Sequence, residues 1–269
     1  MMKNIYIFFI IQMRITKVED LINIPEGITE LDISGLELTT LPKLPQSLTK
    51  LHCYNNDLTS LDNLPSSLTK LDCSWNRLTS LDNLPQSLTE LYCSNNQLTS
   101  LDNLPQGLTV LVCWNNQLTS LDNLPSCLTA LDCVRNGLTS LDNLPSGLTI
   151  LYCSNNQLTS LDNLAMGPKG PDAVYSLARV PKGPDAGIKD ARVFCNLPQG
   201  LTELRCSNNK LTSLDIANCD KLEYLNCGDN NFPEEMVTIL DDEDLTIQEK
   251  INKLIDGCLI PYDNSFVLK

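Results

Sequence analysis

Leucines and polar residues alternate along most of the chain in a pattern that recurs. One unit reads Leu48-x-x-Leu51-x-Cys53-x-x-Asn56-x-Leu58-Thr-Ser-Leu61-Asp-Asn-Leu64-Pro65, and near-copies begin at Leu68, Leu88, Leu108, Leu128 and Leu148. Around Leu51 the alternation has a period of two, which predicts a short half-buried strand with Leu51 and Cys53 on one face and Lys50, His52 and Tyr54 on the other. The same frame carries cysteines at 53, 73, 93, 113, 133, 153, 206 and 227, each two residues after a leucine and three before an asparagine, and the first six recur every 20 residues. A fixed period of this length predicts a solenoid, in which a unit buries its leucines only against its neighbours.

Each residue type in the unit has a physical task. Asn56 ends the strand, where its amide donates and accepts and so satisfies turn groups in its own coil and the next. Copies at 76, 96, 116, 136, 156, 209 and 230 predict an asparagine ladder. Leu58, Leu61 and Leu64 return the chain along the outer side, and Pro65 suits an extended segment without a ladder of amide donors. A unit of 20 residues leaves no room there for a full helix. The first unit, Ile24-Pro-Glu-Gly-Ile28-Thr-Glu-Leu31-Asp-Ile33, has Leu36 where asparagine is expected, as suits a unit with no earlier neighbour. Nine strands follow from this pattern; at about 4.8 Å per strand they make a curved slab roughly 40 Å long.

In these features the chain resembles the leucine-rich-repeat family. The Leu-Pro-x-x-Leu-x-x-Leu-x-Cys-x-x-Asn-x-Leu form is similar to the short class in secreted bacterial effectors of the YopM and IpaH type, over roughly residues 24 to 232. Two departures stand out: cysteine occupies a position where that class usually has valine or isoleucine, and the final units, Leu211 to Asn230, stretch to a period of 21 without the Leu-Pro pair. The resemblance implies an α/β-type repeat solenoid: a curved horseshoe with one short parallel strand per repeat, an extended convex side and short helical caps. It also implies an effector-like or host-interacting role, in a cytoplasm that includes a host cytosol after delivery.

The organisation divides at 1–23 (leader or cap), 24–164 (repeats), 165–197 (insertion), 198–232 (repeats) and 233–269 (helical cap and tail). Ile15, Val18, Leu21 and Ile22 share one face of an expected N-terminal helix. At the other end Phe232 closes the last turn, Pro233 starts a short helix through Leu240, and Thr246 with Glu249 forms a capping box ahead of Ile247, Ile251, Leu254 and Ile255, with Gly257 ending that helix. The run Asp241 to Asp244 reads as a solvated loop. The insertion repeats Pro-Lys-Gly-Pro-Asp-Ala at 168 and 181; removing it joins Leu164 to Pro198 with the register intact, so it is expected as a tolerated excursion from the outer side.

A formal charge of −14 argues against nucleic acid and anionic membrane as partners and favours protein. Aspartates at 62, 82, 102, 122, 142 and 162 form an outer row, read as acceptors of turn amides rather than calcium ligands, since glycine-rich calcium loops are absent. The twelve cysteines contain no Cys-x-x-Cys, so the usual zinc spacing is missing and neither metal nor cofactor is expected. Eight face inward as small hydrophobes, which favours a reducing compartment, and Cys127 is the expected exposed thiol. Lys3 with the apolar run Ile5 to Ile11 resembles the charged and apolar regions of a signal peptide, but no small-x-small cleavage site follows and the run is too short to span a bilayer.

No phosphate loop, nucleophile elbow or zinc-protease motif occurs, and the lone His52 sits on a strand beside Lys50 and Tyr54, so no catalytic residue is assigned. The Cys-x-Asp ligase motif of the IpaH type is not matched, since Leu259 and Ile260 follow Cys258. The expected function is therefore a non-catalytic protein–protein interaction solenoid. A secreted or surface adhesin, and a relic or partner of a ubiquitin-ligase effector, are the competing readings, with self-association through the sheet edges as a further one.

Outward strand positions are free of packing constraints, so variation there carries the functional signal. Tyr92, Val110, Val112, Trp114, Val134, Ile150 and Tyr152 fall on neighbouring rungs, between charged rungs at Lys50, Lys70 and Asp72 and at Glu203 and Arg205. An apolar centre inside a polar surround, anchored by tryptophan and tyrosine, is the composition of a binding hot spot. Trp75 and Arg135, each just before its ladder asparagine, extend the candidate site at the rim.

Overall fold

The computed structural model describes residues 12–142, 144–161, 197–216 and 219–256. Ten three-residue strands stack in chain order into one parallel sheet: β1 (Gln12–Arg14), β2 (Glu30–Asp32), β3 (Lys50–His52), β4 (Lys70–Asp72), β5 (Glu90–Tyr92), β6 (Val110–Val112), β7 (Ala130–Asp132), β8 (Ile150–Tyr152), β9 (Glu203–Arg205) and β10 (Tyr224–Asn226). The middle leucine of β2 to β9 points inward and is at most 1 % exposed, and the cysteine two residues on from β3 to β9 is fully buried. Rungs pair in strict register, Leu51 opposite Leu71 and Leu71 opposite Leu91. The register also holds where the repeat is interrupted, with Leu151 opposite Leu204. The insertion at 165–197 lies outside the described residues except for Leu197, which is buried.

The asparagine ladder forms, but each amide reaches back to the preceding coil rather than forward to the next. Asn76 Nδ2 donates to the carbonyls of Cys53 and Cys73, both at 3.0 Å, while its Oδ1 accepts from the Leu58 amide at 2.9 Å. Each amide thus ties its own coil to the preceding one inside a buried turn, where unpaired backbone groups would be costly. A threonine ladder that the sequence pattern did not signal runs beside it: the Thr69 hydroxyl donates to the Thr49 carbonyl at 3.1 Å, and Thr89 repeats this on Thr69.

On the outer side the aspartates have a different partner from the one expected. Asp62 Oδ2 accepts from the Ser60 hydroxyl at 2.6 Å, and Asp82, Asp102, Asp122 and Asp142 repeat the bond with the serine two residues earlier. Serine and aspartate in Ser-Leu-Asp straddle an inward leucine, which leaves both side chains on the solvent side within reach of each other. Asn63, Asn83, Asn103 and Asn123 follow in left-handed backbone with φ of 58–60°, a conformation asparagine tolerates better than most residues.

The N-terminal end departs from the expected helix. β1 adds a tenth strand, Met13 opposite Leu31, and Ile15 continues the extended path with its amide on the Asp32 carbonyl at 2.8 Å. Ile15 is therefore buried as an inward strand-end residue. The chain then turns through a 3₁₀ helix, Val18–Asn23, in which Leu21 packs on the core while Val18 is 52 % and Ile22 85 % exposed. Three residues per turn give a narrower contact stripe than the α-helix assumed for the apolar spacing. The segment before Gln12 lies outside the described residues.

The C-terminal cap follows expectation. Pro233 precedes α1 (Glu234–Leu240), and α2 (Ile247–Asp256) opens on a reciprocal capping box: the Thr246 amide donates to Glu249 Oε2 at 2.8 Å and the Glu249 amide to Thr246 Oγ1 at 3.3 Å. Met236, Ile251 and Leu254 are buried, closing the core that the last coil would otherwise expose. The expected stop at Gly257 lies outside the described residues.

Candidate protein-interaction face

Because each strand contributes one inward residue between two outward ones, the exposed face of the sheet carries two columns of side chains. In the first, Val110, Ala130 and Ile150 are consecutive cross-strand partners; in the second, Tyr92, Val112, Asp132 and Tyr152 are. Trp114 and Val134 add a third column just beyond the strands. All of these are half-buried, accessible from solvent yet in contact with their neighbours. The sequence-derived set therefore sits on four adjacent rungs, β5 to β8.

Two polar clusters bracket this apolar centre. On the β4–β5 side, Lys70 Nζ pairs with Glu90 Oε2 at 2.8 Å and lies 5.0 Å from the centre of the Tyr92 ring, whose hydroxyl donates to Glu90 at 3.2 Å. The hydrogen bond from Lys70 holds the Glu90 carboxyl below the usual glutamate range. On the β8–β10 side, Arg205 stacks its guanidinium 4.4 Å from the Tyr152 ring and 5.0 Å from the Tyr224 ring. Glu203 accepts from Tyr152 at 2.6 Å and from Arg205 at 2.7 Å, and these bonds, that of Tyr152 foremost, lower its carboxyl. Such diagonal reach is available to long side chains on adjacent strands.

Tyr92 and Tyr152, assigned from sequence to the apolar centre, thus stand at its borders, pinned at ring and hydroxyl. Preset tyrosines lose less rotamer freedom when a partner docks. The sequence placed Arg205 and Glu203 only in a polar surround; their role as a clamp depends on how side chains lean across rungs, which periodicity does not encode.

The rim residues carry backbone strain. Trp75 and Arg135 have φ of 56° and 54°, in the position where other units have Asn55, Asn95, Asn115 and Asn155. A bulky residue there costs about 1–2 kcal/mol relative to a relaxed conformation. Trp75 is 55 % exposed and meets Trp114 edge to face.

Cysteine chemistry belongs to the core. Burial is the main cause that pushes the ladder thiols up, Cys153 to about 12, so they are poor nucleophiles. The ladder cysteines Cys53, Cys73, Cys93, Cys113, Cys133, Cys153, Cys206 and Cys227 form no disulfide, and Cys127 is exposed. No group of three or more His, Cys, Asp or Glu that could hold a metal ion is present among the described residues, and no described helix is long and apolar enough to cross a membrane. His52 lies opposite Asp32 and Asp72 in register, on the sheet face away from the core.

Comparison with known proteins places this architecture. The sequence model for "Leucine Rich repeats (2 copies)" matches residues 86–126 and 199–240. The structure is similar to YopM from Yersinia enterocolitica, with 32% identity over 78% of this chain and a TM-score of 0.52; the chain spans 53% of the length of that protein. It is also similar to the leucine-rich-repeat domain of a Shigella effector, with 27% identity over 81% of this chain and 86% of that one, at a TM-score of 0.54. No curated protein sequence matches the chain.

Proposed function

From a leucine-rich-repeat protein whose units resemble those of bacterial effectors, we propose a non-catalytic recognition solenoid that binds another protein through the centre of its concave face. The observation that carries this reading is the apolar block Val110, Val112, Ala130, Val134 and Ile150, left accessible between two clamped tyrosines. Its surround is polar and hydrogen-bonded, so water is excluded at the centre and tolerated at the edge. Trp75, Trp114 and Arg135 continue the surface at the strand ends.

An effector-like role in a reducing cytosol is part of the proposal. It rests on the likeness to the two bacterial proteins and on the stack of free buried thiols, which an oxidising compartment would put at risk.

The test is affinity capture from native lysate with mass spectrometry, comparing the intact chain with a combined Val112→Asp, Trp114→Ala, Tyr152→Ala variant after circular dichroism shows that both fold. A protein captured by the first and lost by the second is expected. Equal capture by both rejects the concave centre as the site.

A further inference from the structure

Three aspartates occupy the same outward column and make the same local bond. Asp32, Asp72 and Asp132 each accept, through Oδ1, the amide two residues on, at 3.0, 3.1 and 3.1 Å. Their surroundings differ. Asp32 has an ion pair with Arg14 at 3.4 Å, and Asp72 lies on a charged stretch beside His52. Asp132 instead has Val112 and Tyr152 as its cross-strand neighbours, with Val110, Ala130 and Ile150 in the adjoining column.

Oδ2 of Asp132 makes no hydrogen bond or ion pair among the described residues. Burial, the largest cause, holds the Asp132 carboxyl above the ordinary aspartate range, opposed first by the Val134 amide and then by Arg205 from two strands away. The Arg205 guanidinium is already engaged, bonded to Glu203 and stacked between Tyr152 and Tyr224. The Asp132 carboxylate thus lies between Val112 and Tyr152 on the sheet face, bonded only by the Val134 amide and with no cation paired to it among the described residues.

We propose that Asp132 is the selectivity determinant of the concave face, taking the ammonium or guanidinium group of a lysine or arginine that the partner protein presents between apolar side chains. This rests on the concave-face reading above. A neutral or acidic residue in that place would complete the desolvation of Asp132 without compensation and is selected against, while a cation converts the same group into an attractive, charge-assisted contact. The Tyr152 ring and Val112 cover the aliphatic stem of the incoming side chain. The net charge of −14 acts in the same sense at long range, favouring encounter with basic surfaces.

The test is selection of random displayed peptides on the immobilised full chain, with recovered peptides then measured against variants. Enrichment of lysine or arginine flanked by apolar residues is expected. Those peptides bind Asp132→Asn about ten- to a hundredfold more weakly and bind Asp142→Asn, with the same charge change on the outer side, as they bind the parent. Selection without basic enrichment, including selection of no peptide at all, overturns the proposal. So does an equal loss in Asp142→Asn, which marks diffuse attraction, or unchanged binding by Asp132→Asn. The combined Val112→Asp, Trp114→Ala, Tyr152→Ala variant separates the two levels. If it binds the same peptides undiminished, the concave-face reading fails; if it loses them while Asp132→Asn does not, only the role of Asp132 fails.

Discussion

Trp75 and Trp114 meet edge to face, ring centres 6.1 Å apart and planes at 82°, across a rung that belongs to neither. The rung between them, β5, offers only Ser94 and Asn95 at this point, and Ser94 is 1 % exposed. The chain has two tryptophans, so this contact is its whole indole signal. Near-ultraviolet circular dichroism should show a coupled tryptophan band that Trp75→Phe and Trp114→Phe each abolish, with far-ultraviolet spectra unchanged. Persistence of the band in either variant would mean that the rings do not touch in solution.

Arg135 sits at φ 54° where other units use asparagine. Arg135→Asn should raise stability by about 0.5–1 kcal/mol, seen as a higher thermal midpoint, and should weaken any partner that uses the rim. A lower midpoint would show that the arginine makes a compensating contact.

Asn96 donates to the carbonyls of Cys73 and Cys93 and accepts from the Leu78 amide. Asn96→Ala strands three buried backbone groups at the joint between two coils. A loss of about 2–4 kcal/mol is expected in urea unfolding, larger than for an outer-side change such as Gln97→Ala, whose side chain is exposed.

Thiol accessibility is predicted to follow the ladder. With burial holding Cys153 at about 12 and raising the other inward cysteines, iodoacetamide at about pH 8 should label Cys127 rapidly and leave Cys53, Cys73, Cys93, Cys113, Cys133 and Cys153 unmodified until the chain unfolds. Peptide mapping by mass spectrometry reads this directly, and fast labelling at the ladder would contradict a packed core.

Asp132 contributes a pH dependence of defined sign. An acid whose folded value is raised destabilises the fold while ionised. The penalty is therefore full above the folded value and fades as pH falls through it toward the unfolded value of about 3.9. Asp132→Asn keeps the Oδ1 acceptor for the Val134 amide and removes the charge. The variant should outlast the parent in urea near neutral pH, and the gap should close by about pH 3.5. A gap of constant size would place Asp132 in ordinary solvent.

The strands around Leu51 to Leu151 were legible because inward leucine and cysteine two residues apart admit only one face for the core, and the asparagines because a buried turn requires an amide there. β1 was not legible: Gln12, Met13 and Arg14 carry one apolar residue and no leucine template, and their strand exists only because β2 offers an edge. The apolar centre could be listed from the outward positions, since register is fixed by packing. The clamps on Tyr92 and Tyr152 and the meeting of the two indoles could not, because rotamers and reach across rungs are settled in three dimensions. Ser60 replacing turn amides as the donor to Asp62 is a miss of the same kind, at shorter range.

Position along the sheet is counted in whole strands, not in residues, as β8 and β9 demonstrate by pairing across the interruption. Tyr92 and Tyr152 are three strands apart, about 14 Å. Lys70 and Glu90 hold the first from one flank, and Glu203 and Arg205 the second from the other, so neither grip uses anything in the interval. A lineage that gains or loses one coil between them would lengthen or shorten the gauge by a single step of about 4.8 Å and inherit both grips intact. On the proposed concave-face site, a footprint between these two tyrosines would change by whole coils while its end points stay constant.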